Sequence, residues 1–434
     1  MESSKKRLGI LVGGGPAPGI NGVIAAATIA AIKSGFEVIG FMDGFKHLIR
    51  GDDTQIKELT IRDVTRHFDE GGSILRTSRE NPMKIEKGKE HVRPTPMENV
   101  VAVLDKLKID HVITIGGDDT CFSAGNLAQA TKGRIKVVHV PKTIDNDLPL
   151  DPGVPTFGFE TARHYGTQTV LNLIQDARTT PRWYIVVAMG RTAGHLALGI
   201  AKAAAATLAI IPEEFPDDEP ITFKHICDIV EGAVIKRKAD DRPYGVAILA
   251  EGLMERMTNE EIEDLFGADQ VVFDQHGHPR LDDLNLGPQV RDEMRRRLND
   301  RLKTTFISKN LGYELRCAPP IPFDSEYTRN LGYGAVDALI DGFTNCLITF
   351  VGGTMKPRPF DSFKRNAEGR FEPRRVEITG ESYHVAREFM IRLEAEDFSN
   401  PERVKKLADA GMLSVDEFRR RFEYLVQPRP AKNA

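Results

Sequence analysis

Cysteine is scarce in this chain, and its four residues lie far apart in the sequence. They are Cys121, Cys227, Cys317 and Cys346. No Cys-x-x-Cys pair occurs among them, which excludes a zinc site of the usual spacing and a disulfide-rich scaffold. We therefore predict reduced thiols in a protein core.

Long apolar runs are also missing. The most apolar segment, residues 196–211, contains Lys202 and is too short and too broken to span a membrane. The first residues are polar and lead straight into glycines, without the apolar stretch of a secretory signal. We expect a cytoplasmic protein with no membrane partner.

An excess of charge is missing as well. The chain carries 59 Lys and Arg against 63 Asp and Glu, a formal net charge of -4. This balance argues against a nucleic-acid partner, so any phosphate ligand has to be held by local clusters of basic side chains. The length of 434 residues exceeds one ordinary domain and favours two.

The glycine-rich loop near the N-terminus lacks two familiar phosphate motifs. Residues 8–12 predict a strand, residues 13–19 form the loop, and an alanine-rich helix follows to about Lys33. Pro18 stands where a dinucleotide fingerprint needs its third glycine, and no Gly-Lys-Ser/Thr follows. Such a loop can still present backbone N–H groups to an anion at a helix N-terminus, although a tight turn without ligand fits equally well.

Strands and helices alternate along most of the remaining chain. The alternation predicts parallel sheets with functional groups at the carboxyl edge of each. We expect two Rossmann-like three-layer α/β/α domains of mostly parallel sheet. The charged stretch 254–310 predicts an inserted, solvated helical region, and residues 391–434 predict a helical C-terminal tail.

Polar clusters follow the predicted strands. Asp118 and Asp119 come after two glycines at the end of the strand 111–115, where an aspartate is a natural magnesium ligand. Arg76 and Arg79 follow another glycine turn and could bind phosphate oxygens, although two solvated arginines would look the same.

The most informative stretch is residues 141–147, which follows an apolar strand that is predicted to end at Pro141. It places Lys142 just before Asp145 and Asp147, with Asn146 between the two carboxylates. A base, a cation and a metal-binding acid are what phosphoryl transfer to a hydroxyl requires. An Asx-type turn that only satisfies backbone donors would also explain this stretch taken alone.

Five of these motifs, taken in order, resemble the phosphofructokinase family over most of the chain. They are the loop 14–19, the turn 116–118, the stretch 143–147, Met189-Gly190-Arg191 and Glu251-Gly252-Leu253. The resemblance implies two α/β domains that share an active site, and phosphorylation of fructose 6-phosphate to fructose 1,6-bisphosphate. It also implies a homodimer or homotetramer whose subunits share residues.

The resemblance assigns roles to individual residues. Gly15 is expected to contact the phosphate donor, Asp118 to bind Mg²⁺, and Asp145 to be the general base for the sugar 1-hydroxyl. Asp147 is expected beside that base, and Thr143, with Ile144 next to it, at the transferring phosphate. Contacts to the sugar phosphate are expected from Met189, Gly190, Arg191, Glu251, Glu326, Tyr327, Thr328 and Arg329. Arg182 and Arg316 are expected to reach its 6-phosphate across a subunit interface.

Two departures from the ATP-using pattern indicate the pyrophosphate-dependent branch of the family. Asp119 and Lys142 replace glycines of Gly-Gly-Asp-Gly and Pro-Gly-Thr-Ile-Asp. A carboxylate at position 119 would repel the α-phosphate of a nucleotide, while an ammonium at 142 suits a short, dense anion. Both are therefore expected in catalysis, together with Arg79 at the donor.

Three alternatives stay open at this point. An ATP-dependent phosphofructokinase could tolerate one such substitution. Lipid and NAD kinases share the Gly-Gly-Asp turn but not the stretches 143–147 and 189–191. A catalytically silent regulatory subunit would keep the fold but lose the base or the metal ligand, and both are present here.

The resemblance also divides the chain. The expected phosphate-donor domain is 1–155, completed by about 330–390. The expected sugar-phosphate domain is 156–329, with the insertion 254–310.

Overall fold

The computed structural model describes residues 5–84, 91–273, 284–366 and 371–427. The predicted insertion and tail fall partly outside these residues. The chain forms two units: unit 1 is Met1–Tyr165 with Tyr313–Arg374, and unit 2 is Gly166–Gly312 with Arg375–Ala434. The domain borders predicted above stay predictions, and these units differ from them by assigning residues 156–165 and 313–329 to unit 1 and residues 375–390 to unit 2.

The elements follow one another in three stretches. The first contains β1 Arg7–Val12, α1 Ile20–Lys33, β2 Glu37–Phe41, β3 Ile56–Glu58, α2 Ile61–Val64, α3 Pro96–Lys106, β4 His111–Gly116, α4 Asp118–Ala130, β5 Lys136–Thr143, β6 Phe157–Gly158 and α5 Phe159–Thr179. The second contains β7 Arg182–Ala188, α6 His195–Ala204, β8 Leu208–Ile210, α7 Phe223–Ala239, β9 Gly245–Ala250, α8 Asn259–Phe266, α9 Leu286–Leu302 and β10 Thr305–Leu311. The third contains α10 Tyr313–Arg316, α11 Pro322–Ile340, β11 Cys346–Val351, β12 Thr354–Pro359, α12 Glu381–Glu388, α13 Ala395–Ser399, α14 Pro401–Ala410 and α15 Val415–Phe422.

The sheet of unit 1 has the strand order β12-β11-β5-β4-β1-β2-β3, with β6 paired to β5. The edge strands β3 and β12 are antiparallel to their neighbours, and the strands between them are parallel. Strands β1 and β4 are neighbours in the sheet. After β1 the chain continues to β2 on one side, and after β4 it continues to β5 on the other side. Right-handed connections then put α1 and α4 on opposite faces. The carboxyl ends of β1 and β4 mark the switch point where ligands bind in such sheets.

Helix α11 packs against α1 on one face of that sheet. The sequence predicted a crossing loop at 320–329 and a helix only from 334 to 342, and this prediction is wrong because the helix already begins at Pro322. Proline at the first helical position loses no intrahelical hydrogen bond, so it starts this helix instead of breaking it. The packing on α1 explains why this part of the chain belongs to unit 1.

Two boundaries near the expected site also differ from the prediction. Strand β5 does not end at Pro141, because Lys142 and Thr143 continue it by pairing with Phe157 and Gly158 of β6. Helix α4 begins at Asp118 and not near Phe122, with Gly117 as its N-cap. The two aspartates therefore lie in the first turn of a helix.

Unit 2 contains a parallel sheet with the order β10-β7-β9-β8. The prediction that 254–310 is a solvated helical insertion is wrong at its C-terminal end. Strand β10 pairs with the whole of β7, and α9 buries an apolar stripe spaced by four residues, which makes it part of the core. That stripe consists of Leu286, Val290, Met294 and Leu298.

The helical C-terminal tail is confirmed in its described part, and it packs on α7 of unit 2. A separate apolar cluster joins Ile235 of α7 to Leu393, Phe398, Phe418 and Phe422. The α/β fold with mostly parallel sheets and helices on both sides is likewise confirmed.

Only some of the cysteines are buried, and no described helix could cross a membrane. The four cysteines are free, but only Cys121, Cys227 and Cys346 are buried, so the prediction of a core position is wrong for Cys317. Among the described helices, none combines the length and the hydropathy that a membrane crossing requires.

The contact between α1 and α11 leads to a test of the packing. Gly332 lies in the interior of α11, and a Cβ atom there would come within 2.5 Å of the Val23 carbonyl oxygen. Gly332→Ala should lower the thermal unfolding midpoint, because overpacking of about 1–3 kcal/mol exceeds the helix-propensity gain of about 1 kcal/mol.

The matched control is Gly125→Ala in α4, where the nearest atom, on Phe360, is at an ordinary 3.4 Å. It should keep or raise the midpoint. A raised midpoint for Gly332→Ala would contradict the close approach of the two helices.

Candidate active site

The glycine loop after β1 is fastened to the end of β4 in unit 1. The Gly13 N–H donates to the Ile115 carbonyl at 2.8 Å. A Cβ atom on Gly13 would lie 2.3 Å from the Thr120 hydroxyl oxygen, so only glycine permits this approach. Gly14 has φ of 82° and leaves Gly15 facing the basic side chains described next. The loop at the switch point of the sheet therefore presents its backbone to the side chains of Lys142 and Arg316.

Lys142 is the buried centre of a charged cluster. Its ammonium group donates to the Gly15 carbonyl, and its side chain is almost fully buried. Burial, followed by repulsion from Arg316, lowers the Lys142 pKa to about 8, although Asp145 opposes the shift. Arg79 also lowers this pKa and Asp147 raises it. The structure thus brings Arg79 and Arg316, which are distant in the sequence, to the cation and the two carboxylates of the stretch 141–147.

The segment with Arg79 is attached to the glycine loop. The Gly14 N–H donates to the Ser78 carbonyl at 2.8 Å, and the Thr77 hydroxyl donates to the Gly14 carbonyl at 2.7 Å. Arg79 itself is exposed. These two hydrogen bonds explain how Arg79, which is far from Lys142 in the sequence, comes near it.

The resemblance implied that Arg316 reaches a 6-phosphate across a subunit interface, whereas the structure places it beside Gly15 and Lys142 of its own chain. Its guanidinium carbon would lie 3.5 Å from a Cβ atom on Gly15, and it stacks on the Tyr313 ring with 5.0 Å to the ring centroid. Sequence reasoning missed Tyr313, whose exposed aromatic ring directly follows Gly312 at the end of β10. An aromatic residue at the carboxyl end of a strand was the available signal.

The Gly-Gly-Asp turn presents two carboxylates at the N-terminus of α4. Asp118 is half-buried and Asp119 is exposed. Within the described ranges, no group of three or more His, Cys, Asp or Glu side chains could hold a metal ion by itself. Magnesium is commonly held by one or two carboxylates together with substrate phosphates and water, so this donor set fits Mg²⁺ bound with a phosphate.

The acidic stretch after β5 is held by side chains on both sides. The Thr143 hydroxyl accepts from the Asp145 N–H at 3.0 Å, and the Thr156 hydroxyl donates to the Thr143 carbonyl at 2.7 Å. Asn146 adopts a left-handed conformation with φ of 57°. The Ile144 side chain is buried, so this residue can offer a substrate only its backbone.

His139 contacts the Gly-Gly-Asp turn and was missed by the sequence prediction. Its Nε2 lies 3.0 Å from the Gly116 carbonyl oxygen and its Nδ1 lies 2.8 Å from the Thr114 hydroxyl. Because a carbonyl only accepts, Nε2 carries the proton and Nδ1 accepts from Thr114. Burial lowers the His139 pKa to about 3, so the ring stays neutral and ties β5 to the Gly-Gly-Asp turn.

Unit 2 brings together the predicted sugar-phosphate residues after β7 and β9. The Gly190 N–H donates to a Glu251 carboxylate oxygen at 3.2 Å, and the Gly252 N–H donates to the Gly190 carbonyl at 3.0 Å. Met189 and Arg191 flank Gly190 in the same loop, and Arg191 pairs with Glu255 at 2.9 Å. The loop and the turn after β9 thus form one surface at the carboxyl edge.

Glu213 supports that loop and was also missed from the sequence. Its carboxylate accepts from the Gly194 N–H at 2.9 Å and from the Val376 N–H at 3.0 Å. Burial raises the Glu213 pKa, although these two N–H groups oppose the shift. The far end of the 189–194 loop is therefore fixed to the segment that leads into the C-terminal tail.

Arg182 does not lie with these residues. It begins β7, whereas Met189 follows its end, and a strand of seven residues spans about 20 Å. Its guanidinium bonds to the Thr180 carbonyl at 3.1 Å and lies 3.6 Å from Asp176. Within one chain, Arg182 is at the opposite edge of the sheet from the loop after β7.

The structure gives no support to Tyr327 and Thr328 as substrate contacts. Thr328 is fully buried and its hydroxyl donates to the Asp324 carbonyl at 2.7 Å, while the Tyr327 ring lies in the core of unit 1. Glu326 and Arg329 are exposed on the same helix, and Arg329 lies 4.3 Å from the centroid of the Phe68 ring. Helical periodicity turns the middle pair inward, which a reading of this segment as a loop could not reveal.

Comparisons with known proteins show what this chain is similar to. A sequence model of the family described as Phosphofructokinase matches residues 7–339. The pyrophosphate--fructose 6-phosphate 1-phosphotransferase of Naegleria fowleri is 51% identical over 427 residues, 97% of this chain and 96% of that protein. The protein of the same name from Thermotoga maritima is 51% identical over 421 residues, 96% of this chain and 98% of its own length.

A solved structure shows the same fold. The pyrophosphate-dependent phosphofructokinase from Marinobacter aquaeolei superimposes with a TM-score of 0.65 at 16% identity, covering 94% of this chain and 92% of that one. At this level of identity the likeness supports the fold alone.

The contacts of His139 lead to a test of the turn that it holds. His139→Phe keeps a ring of similar size but removes the bond to the Gly116 carbonyl, so kcat should fall about 10-fold and the thermal unfolding midpoint should drop. His139→Gln retains an N–H donor and should keep more of both. Equal kcat in the wild type and in His139→Phe would show that the ring does not position this turn.

Proposed function

This chain belongs to the phosphofructokinase family, and we propose that it transfers a phosphoryl group from pyrophosphate to the 1-hydroxyl of fructose 6-phosphate. The products are fructose 1,6-bisphosphate and phosphate, and the reaction is reversible. The observation that supports this function best is the buried Lys142 ammonium among Arg79, Arg316 and the two carboxylates of the acidic stretch. Cations that hold a dense anion beside a base suit phosphoryl transfer to a hydroxyl.

In the proposed mechanism Asp145 accepts the proton of the sugar 1-hydroxyl. The sugar oxygen forms the new bond to phosphorus, and the bond to the bridging oxygen of pyrophosphate breaks, leaving its electron pair on the departing phosphate. Lys142 and Arg316 stabilise the charge on the transferring group, with Arg79 at the donor and Thr143 beside it. Asp147 lies next to the base, and the Gly15 backbone contacts the donor.

Mg²⁺ fits the Gly-Gly-Asp turn, with Asp118 as its protein ligand. When bound, the ion would neutralise phosphate charge and orient the donor. The residues of the turn supply a carboxylate at a helix N-terminus, next to the loop after β1, and need no further protein ligand for this purpose.

The loops of unit 2 have a separate role in this proposal. Met189, Gly190, Arg191 and Glu251 contact the sugar phosphate. Because Arg182 lies at the opposite edge of its own sheet, it serves the site of a neighbouring subunit in a homodimer or homotetramer. The cytoplasmic location predicted from the sequence remains a prediction.

ATP is the second candidate donor, and Asp119 argues against it. Its exposed carboxylate lies in the first turn of α4, beside the residue proposed to bind Mg²⁺. A nucleotide α-phosphate placed there would meet a like charge, whereas pyrophosphate has no third phosphate to be repelled.

The direct experiment compares the two donors at saturating Mg²⁺ and fructose 6-phosphate. For the wild-type protein, kcat/KM for pyrophosphate should exceed kcat/KM for ATP by a factor on the order of 100 or more. A preference for ATP would refute the proposed donor.

Variants at position 119 separate charge from shape. Asp119→Asn removes the charge but keeps the size of the side chain. Asp119→Gly removes both the charge and the side chain. Both should raise ATP-dependent kcat/KM by roughly 10-fold or more, because the like charge is gone. A gain only in Asp119→Gly would assign the exclusion of ATP to shape instead of charge.

A further inference from the structure

Arg374 is the last residue of unit 1, and its contacts converge on the acidic stretch. Its Nε donates to the Asn146 carbonyl at 3.2 Å, and its guanidinium also donates to the Asn146 side-chain oxygen. Its own backbone N–H donates to the Asp147 carbonyl at 2.7 Å. One residue therefore holds the chain on both sides of the Asn146–Asp147 peptide.

The same guanidinium closes the loop that follows the acidic stretch. Its Nη1 donates to the Val154 carbonyl at 2.8 Å and to the Asp151 carbonyl at 3.4 Å. The planar fork of arginine can satisfy several carbonyls at once, which a lysine ammonium on a flexible stem cannot do in the same geometry.

Asn146 lies at the centre of these contacts. It adopts a left-handed conformation between the two aspartates, which asparagine accepts more readily than most residues other than glycine. Its side-chain oxygen accepts from the Thr156 N–H at 3.0 Å as well as from Arg374. These bonds determine the direction in which the chain leaves Asp145.

Charge attraction also favours the contact of Arg374 with the acidic stretch. The Asp147 carboxylate attracts the Arg374 guanidinium and opposes the effect of burial on its pKa. Because the family model ends at residue 339, Arg374 lies outside the part of the chain that it matches.

We propose that Arg374 is a positioning residue that orients Asp145 and Asp147 for catalysis through its hydrogen bonds to Asn146, Asp147 and Val154. The inference rests on the proposed function, because Asp145 is the general base there. Arg374 itself does not touch the reacting atoms. A base displaced by about 1 Å can lose a factor on the order of 100 in rate, so loss of the clamp should reduce kcat far more than substrate affinity.

The experiment compares Arg374→Lys and Arg374→Ala with the wild type. In both variants kcat should fall by about 10- to 100-fold, with KM for fructose 6-phosphate and for pyrophosphate within roughly 3-fold of the wild type. The positive charge that Arg374→Lys retains should restore little of kcat, because lysine lacks the planar fork of N–H donors of the guanidinium group. Added guanidinium ion should recover part of kcat in Arg374→Ala but not in Arg374→Lys.

Arg375→Ala is the matched control. Arg375 is the next residue in the chain, and its guanidinium pairs at 2.5 Å with Asp217, whose side chain is 74% exposed. Such a pair contributes little to stability, so this variant should keep wild-type kcat and KM. A fall in kcat of Arg375→Ala equal to that of Arg374→Lys would assign the effect to the segment as a whole and overturn the role of Arg374.

Asn146→Gly provides an independent variant if Arg374→Ala does not fold. Glycine accepts the left-handed conformation but lacks the side-chain oxygen that Arg374 binds. Asn146→Gly should lower kcat, and its effect should not add to that of Arg374→Lys. Fully additive effects would overturn the inference.

Asp145→Ala is measured in parallel to separate the two proposals. A large loss of kcat in Asp145→Ala with wild-type kcat in folded Arg374→Lys overturns the positioning role and leaves the proposed function intact. Near-normal kcat in Asp145→Ala refutes the base assignment, and the inference falls with it.

Discussion

The burial of one ammonium group constrains the candidate site of unit 1. Lys142 donates to the Gly15 carbonyl and is only 4% exposed, so its charge has to be balanced within the protein. A buried cation without partners would be strongly destabilising. Asp145 and Asp147 supply the opposite charge and raise the Lys142 pKa, while Arg316 and Arg79 add like charge and lower it. A bound diphosphate would complete this balance, and the site is therefore suited to a dense anion.

Short-range sequence patterns predicted most of the architecture. Apolar runs followed by glycine or acidic turns identified the strands that carry the site, and the runs predicted at 8–12 and 111–115 are strands β1 and β4. Two of the errors in the strands have a common physical origin, because they lie where distant partners override local signals. Strand β5 passes Pro141 since β6 pairs beyond it, and β10 is a strand because β7 provides its ladder. No local pattern reports either partner.

Site residues that lie together in one motif were predictable from the sequence. Residues that hold the motif through hydrogen bonds from elsewhere in the chain were not. Lys142, Asp145 and Asp147 lie within one short stretch, and their proximity follows from the sequence. His139 looked like one more residue of a buried strand, and Arg374 lies more than two hundred residues from the loop it clamps. Arg374 therefore had no readable signal. Tyr327 and Thr328 show the opposite error, because an apparent polar loop is a helix that turns both side chains inward.

The alkaline limb of the pH profile tests the role of Lys142 most directly. A free-protein pKa of about 8 predicts that Lys142 is protonated below that pH and loses its charge as the pH rises through 8. In the wild type, kcat/KM for pyrophosphate, which reports the free enzyme, should therefore fall above about pH 8. In the substrate complex the phosphate charge favours the ammonium form, so the limb in kcat should lie at higher pH. Lys142→Arg, whose side chain does not deprotonate in this range, should lack the limb in kcat/KM. The same alkaline limb in the wild type and in Lys142→Arg would contradict the account.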